Sequence, residues 1–262
     1  VNIVVCVKAV PSTTEVRMDP VTNTIVRDGR QSVVNPFDAS ALEEAVSIKE
    51  QLGGTVCALS MGIPDTVRLL RDCLARGADR GLLLSDRAFA GADTLATSYA
   101  LSCGVDAIEE QIGAVDLVLC GKMAVDGDTA QIGPELAAVR GIPCLANVCE
   151  VLEVAPGCIR VRRTVDGGQE VVEAPLPAVV TVEKDIRLPR LPSIAGVRFG
   201  CEGPVEVRVA AAVGADPARI GLTGSPTQVV RSFTPERADA CERIEGTPTE
   251  QARALAALVA HA

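Results

Sequence analysis

Val115-Asp116-Leu117-Val118-Leu119-Cys120-Gly121-Lys122-Met123-Ala124-Val125-Asp126-Gly127-Asp128-Thr129-Ala130-Gln131-Ile132-Gly133-Pro134 opens on an apolar run and ends where a helix must begin. Residues 115–120 have the length and composition of a buried strand. The bend after them is rich in Gly and small residues. A helix starts between Thr129 and Pro134 and stops near Gly141. A strand that runs through such a bend into a helix is half of a βαβ unit.

The same alternation extends to both sides. Residues 3–7, 56–60 and 81–84 read as further strands. Between them lie a helix capped by Asp38 and ended by Gly53-Gly54, and one opened by Pro64 and stopped at Gly77. Asp93 caps another, running to about Gln111. This predicts an α/β, mainly parallel Rossmann-like sheet. Asp166-Gly167 between two strand-like runs predicts an added β-hairpin, and residues 178–182 one more strand. After Glu183, prolines punctuate the chain and only one helix is expected, about 249–260. The division is then an α/β domain over 1–225 and an extended C-terminal arm over 226–262. The arm either packs on another chain or folds back on its own domain.

Composition excludes several functions. The chain has 262 residues, 2% aromatic, and a net charge of -9. Without aromatic platforms or excess base, a nucleic-acid partner is not expected, nor an anionic membrane surface. No apolar run is long enough to span a membrane. The first residues lack the features of a signal peptide, so a cytoplasmic protein is expected. The ten cysteines show no Cys-x-x-Cys pair, and those in apolar runs, such as Cys6, Cys57 and Cys120, read as small buried hydrophobes. The only histidine is His261. No catalytic residue and no metal site is therefore expected, and a bound cofactor must carry any chemistry.

In open α/β sheets ligands sit beyond the carboxyl ends of the strands. The bend from Gly121 to Gly133 is the strongest candidate. Helix N-termini hold phosphate. Gly127 and Gly133 let backbone approach a ligand, and Thr129 and Gln131 can donate hydrogen bonds. Asp126 and Asp128 would repel phosphate, so they are expected to cap the helix or turn away. Physics alone leaves open a plain turn and cap. The loop from Asp86 to Thr97 joins strand to helix in the same way, and Phe37 either stacks on a ring or plugs the core.

The segments Val4 to Lys8, Asn35-Pro36-Phe37-Asp38, Gly121 to Pro134, Val161 to Glu170 with Leu176 to Thr181, and Gly224 to Pro235 resemble those of electron-transfer flavoprotein β subunits. The resemblance implies an adenine-nucleotide α-hydrolase-like fold, a nucleotide-binding role for the domain over 1–225, and a heterodimer with the α subunit of that family. In one branch the β subunit holds structural AMP. In the other FAD replaces AMP and takes hydride from NADH. One electron then passes to ferredoxin or flavodoxin, the other through the α-subunit FAD to an acyl-CoA dehydrogenase. The segment 126–134 and the loop 86–97 resemble the second, electron-bifurcating branch. A stand-alone ATP- or AMP-binding module is the alternative. By position, the resemblance implies cofactor contacts at Cys6, Asn35, Pro36, Phe37, Asp38, Met61, Gly121, Val125, Asp126, Gly127, Asp128, Thr129, Ala130, Gln131, Ile132 and Gly133. Thr94 and Thr97 would approach the flavin ring, with Arg87 and Lys122 as candidate cations. Leu191-Pro192-Ser193-Ile194 resembles the start of the family's dehydrogenase-docking loop, but the lysines that follow in the family are missing here.

Overall fold

A computed structural model describes residues 1–12, 32–230 and 243–260. In chain order the elements are β1 (Asn2–Cys6), β2 (Ala9–Pro11), β3 (Ser32–Val34), α1 (Pro36–Leu52), β4 (Thr55–Met61), α2 (Val67–Ala75), β5 (Arg80–Leu84), α3 (Thr94–Ile112) and β6 (Leu117–Gly121). There follow α4 (Ile132–Arg140), β7 (Cys144–Ala155), β8 (Cys158–Val165), β9 (Gly168–Pro175), β10 (Ala178–Val182), α5 (Ile194–Glu202), β11 (Val205–Arg208) and α6 (Pro248–Ala260).

Nine strands form one sheet in the order β11-β5-β4-β1-β6-β10-β7-β8-β9. All neighbours are parallel except the β7–β8 and β8–β9 pairs. Val, Ile and Leu fill the central strands because both faces are covered. Residues Ile3, Val5, Val56 and Leu119 pack under α1 and α2. Val4, Leu59, Leu84 and Val118 pack under α3 and α4. Each such side chain contributes about 1.5–3 kcal/mol on burial.

From β1 the chain moves outward to β4 and β5, then returns to place β6 on the other side of β1. The reversal opens a crevice between the carboxyl ends of β1 and β6, where ligands of open α/β sheets sit. The expected parallel α/β class is observed, and the hairpin turns at Asp166-Gly167 between β8 and β9.

Four elements depart from the sequence reading. The long strand β7 is not signalled by clean alternation, because its pairing with β8 shifts register twice. α5 and β11 lie in the proline-punctuated stretch read as irregular. Ser193 caps α5 through its side chain, which accepts the Gly196 N–H at 3.0 Å. α1 is not capped by Asp38. It begins at Pro36, and Asp38 lies buried in its first turn. The residue before a proline is held extended, so Asn35, at φ −51° and ψ 131°, takes the capping place.

The chain after β11 lies over α3. Arg219 stacks on the Tyr99 ring at 3.7 Å, and the Asp216 N–H donates to the Tyr99 hydroxyl. α6 buries none of its residues, and Leu255, Leu258 and Val259 on one side of it are exposed. Residues 231–235, Cys241 and His261 lie outside the described residues.

Candidate functional site

The site is assembled at the crevice by the first turn of α1. Asn35 is fully buried. Its Nδ2 donates to the Met123 carbonyl at 2.8 Å, and its Oδ1 accepts the Val125 N–H at 3.2 Å. Asp38 accepts the Lys8 N–H at 2.8 Å and the Gly121 N–H at 3.1 Å. Two neighbouring side chains of one helical turn thus fix the ends of β1 and β6 and the start of the bend. Burial pushes the Asp38 carboxyl up to about 7, against the pull of the hydrogen bonds from Lys8, Asn35 and Gly121.

Gly121 has a packing reason. A Cβ there would collide with the Asp38 carboxylate and with Phe37. Phe37 is half-buried and backs this contact. Gly133 is likewise a packing glycine, because a Cβ would run into the Thr181 methyl of β10. Gly127 differs. A Cβ there would meet only the Lys8 Nζ, at 3.7 Å. Of the two glycines singled out for ligand approach, Gly127 faces open space and Gly133 does not.

The bend itself is exposed from Val125 to Gln131. Asp128 and Ala130 stand at φ 51° and 54°, a region costly for residues with a side chain and often found at ligand clamps. Among the described residues, the N–H groups of Thr129, Ala130 and Gln131 have no hydrogen-bond partner. They precede α4, whose first residues are Ile132 and Gly133 and whose capping residue, Gln131, supplies no side-chain cap. Three exposed donors at the positive end of a helix dipole are an arrangement of the kind that holds anions. Neither aspartate caps α4, contrary to one expectation. Asp126 instead pairs with Lys8 at 2.7 Å, which offsets its repulsion of an anion. Sequence reasoning did not single out this role of Lys8, because the two residues are far apart in the chain.

A second wall comes from α3. Asp93 caps it, its side chain accepting the Ala96 N–H at 3.1 Å. Thr94 Oγ1 donates to Glu135 at 3.0 Å and lies 3.5 Å from Gln131 Oε1. Thr94 and Gln131 are therefore brought together, and Glu135, absent from the sequence prediction, joins them. Ser98 also contacts Glu135. Thr97 sits one turn further along α3, half-buried. Pro36 occupies the first helical position of α1.

The floor is apolar. Cys6 and Cys120 are register partners on β1 and β6, both buried. The Cys120 thiol is pushed well up by its hydrogen bond with Cys6 and by burial, so it stays protonated and inert. Met61 ends the next strand, β4. Ser60 Oγ beside it is buried and without a hydrogen-bond partner among the described residues. Lys122 is held by Glu183 at 3.5 Å, and Arg87 makes no ion pair among the described residues. No group of His, Cys, Asp and Glu among the described residues suits a metal ion.

The electron transfer flavoprotein domain matches residues 22–213. The chain belongs to the electron transfer flavoprotein family. It is 43% identical over 256 residues to the electron transfer flavoprotein subunit beta of Thermoanaerobacterium thermosaccharolyticum, covering 97% of this chain and 96% of the relative. Identity is also 43% over 251 residues to the caffeyl-CoA reductase-Etf complex subunit CarD of Acetobacterium woodii, covering 95% and 94%. Protein FixA of Azorhizobium caulinodans is 41% identical over 260 residues, covering 98% and 92%. This electron transfer flavoprotein chain is of the β-subunit type, and its role is in electron transfer. No helix among the described residues is long and apolar enough to cross a membrane.

Proposed function

We propose that this β-type chain binds FAD in the crevice between β1 and β6 and works in a heterodimer with an electron-transfer flavoprotein α subunit. Electrons enter as hydride from NADH and divide between ferredoxin or flavodoxin and, through the α-subunit FAD, an acyl-CoA dehydrogenase. The observation that carries the reading is the row of free N–H groups at Thr129, Ala130 and Gln131 beside the open face of Gly127. A pyrophosphate fits such donors, and Lys8 stands 3.7 Å from the space a Gly127 side chain would enter.

When bound, FAD supplies hydride acceptance and one-electron transfer, which no side chain here provides. The chain's own residues bind and orient. Asn35 and Asp38 hold the bend in register. Cys6 and Met61 give the adenine side an apolar floor. Thr94, with Gln131 and Glu135, forms the wall toward the ring. Arg87 is the cation best placed in sequence to balance negative charge there. Support for an acyl-CoA-directed partner comes from CarD, whose name joins it to a reductase of a CoA ester. Leu191 and Ile194 are 86% and 93% exposed, as a docking residue for such an enzyme must be.

Cofactor analysis of the native heterodimer tests this. Two FAD per heterodimer and no AMP is the expected content. One FAD with one AMP would replace bifurcation by a structural nucleotide, and a colourless ATP-binding monomer would overturn the heterodimer as well.

A further inference from the structure

The carboxylate of Asp93 is divided between two tasks. Its Oδ1 caps α3 by accepting the Ala96 N–H at 3.1 Å. Its Oδ2 accepts both the Thr227 N–H at 3.0 Å and the Thr227 hydroxyl at 2.9 Å. The Asp93 N–H in turn donates to Ser225 Oγ at 2.8 Å, and that hydroxyl donates to the Gly221 carbonyl at 2.7 Å. These bonds outweigh desolvation and hold the Asp93 carboxyl below its ordinary range.

The surrounding backbone interlocks. Gly221, at φ 56°, packs so closely on Ala88 that a Cβ would strike its carbonyl. The Leu222 N–H donates to the Ala90 carbonyl at 3.1 Å. Just beyond Thr227 the chain is exposed, with Val229 and Val230 85% and 97% exposed. Among the described residues Thr227 is the last that hydrogen-bonds to the domain, and in the described helix further along, α6, no residue is buried. On the other side, Asp93 is followed by Thr94, which meets Glu135 and Gln131 at the nucleotide bend.

We infer that Asp93 is a positioning residue that couples capture of the C-terminal segment by the α subunit to nucleotide binding. The inference rests on the nucleotide and heterodimer reading above. The chain of contacts runs from Thr227 through Asp93 and Thr94 to Gln131. A partner that fixes the path of the segment at Thr227 fixes the orientation of the shared carboxylate, and with it the start of α3. By linkage the effect is reciprocal, so nucleotide in the bend tightens the heterodimer by the same factor.

The test measures heterodimer dissociation with and without saturating FAD, and again with AMP, for the wild-type complex, Asp93→Ser and Thr227→Val. A serine retains an oxygen for the Ala96 N–H, since serine caps as well as aspartate, but has no second oxygen for Thr227. Thr227→Val loses the hydroxyl bond alone and leaves α3 untouched. In the wild type, nucleotide is expected to tighten the heterodimer at least tenfold. In Asp93→Ser the factor falls to within twofold although nucleotide still binds, and Thr227→Val lies between. A wild-type factor near one, or an unchanged factor in both variants, overturns the inference while leaving the nucleotide reading intact. A wild-type heterodimer that binds neither FAD nor AMP overturns both.

Discussion

Asp38 and Gly121 meet at the crevice where the sheet reverses direction, with the Asp38 Oδ1 accepting the Gly121 N–H at 3.1 Å. The same carboxylate takes the Lys8 N–H through Oδ2, so a single buried side chain spans the ends of two adjacent parallel strands. Its burial makes the charge costly, and its hydrogen bonds make it tolerable.

That balance gives a pH signature. The Asp38 carboxyl stands at about 7 in the fold against 3.8 ordinarily. Between those values the folded chain holds the proton more tightly than the unfolded chain, so this group's contribution falls as pH rises. From pH 5 to about pH 7 the loss is roughly 2 kcal/mol. Asp38→Asn, which cannot ionise, lacks this loss. Urea unfolding at pH 5 and pH 8 should show the wild type losing stability relative to Asp38→Asn. A difference that stays constant with pH contradicts the account.

Two glycines at the site should respond oppositely. Gly121→Ala drives a methyl into Asp38 and Phe37 and should cost about 1–3 kcal/mol in unfolding experiments. Gly127→Val meets almost no protein and should leave stability within about 0.5 kcal/mol. Its effect belongs to the ligand: nucleotide content of the purified complex should drop to near zero. Full flavin retention in Gly127→Val would show that the open face is not the phosphate approach.

Lys8 and Asp126 form a partly exposed pair, worth at most about 1 kcal/mol to the fold. Their larger effect is expected on anion binding. Lys8→Ala leaves the Asp126 charge uncompensated and should weaken nucleotide binding about tenfold at low salt. Adding Asp126→Asn should restore most of the loss. Titration calorimetry across the double-mutant cycle decides this, and additive effects of the two substitutions would refute the pairing.

No residue of α6 is buried. Truncation after Pro235 should therefore leave the thermal midpoint within a few degrees of the full chain. It should reduce co-purification with the α subunit severalfold. Undiminished co-purification would mean that the C-terminal segment serves another purpose.

Much of the core was legible because it repeats one signal. Ile3 to Val7 and Leu117 to Cys120 are unbroken apolar runs ended by Lys8 and Gly121, and the helices between them carry Gly or Asp at their ends. β7 was not legible, because its register shifts against β8 destroy the period of two. α5 and β11 were hidden by prolines that punctuate their flanks, at Pro192 and Pro204, and leave the elements whole. Within the site, the bend showed its glycines but not their different reasons. Gly133 owes its lack of a side chain to Thr181, 48 positions away and known only after folding. Glu135 and the pairing of Lys8 with Asp126 were missed for the same cause: the residues that meet are distant in sequence.

The most direct test is a crystal structure of the heterodimer grown with FAD. The account predicts the pyrophosphate within hydrogen-bonding distance of the N–H groups of Thr129, Ala130 and Gln131, with Lys8 alongside. A dinucleotide bound elsewhere, with that bend closed on its own side chains, would contradict it.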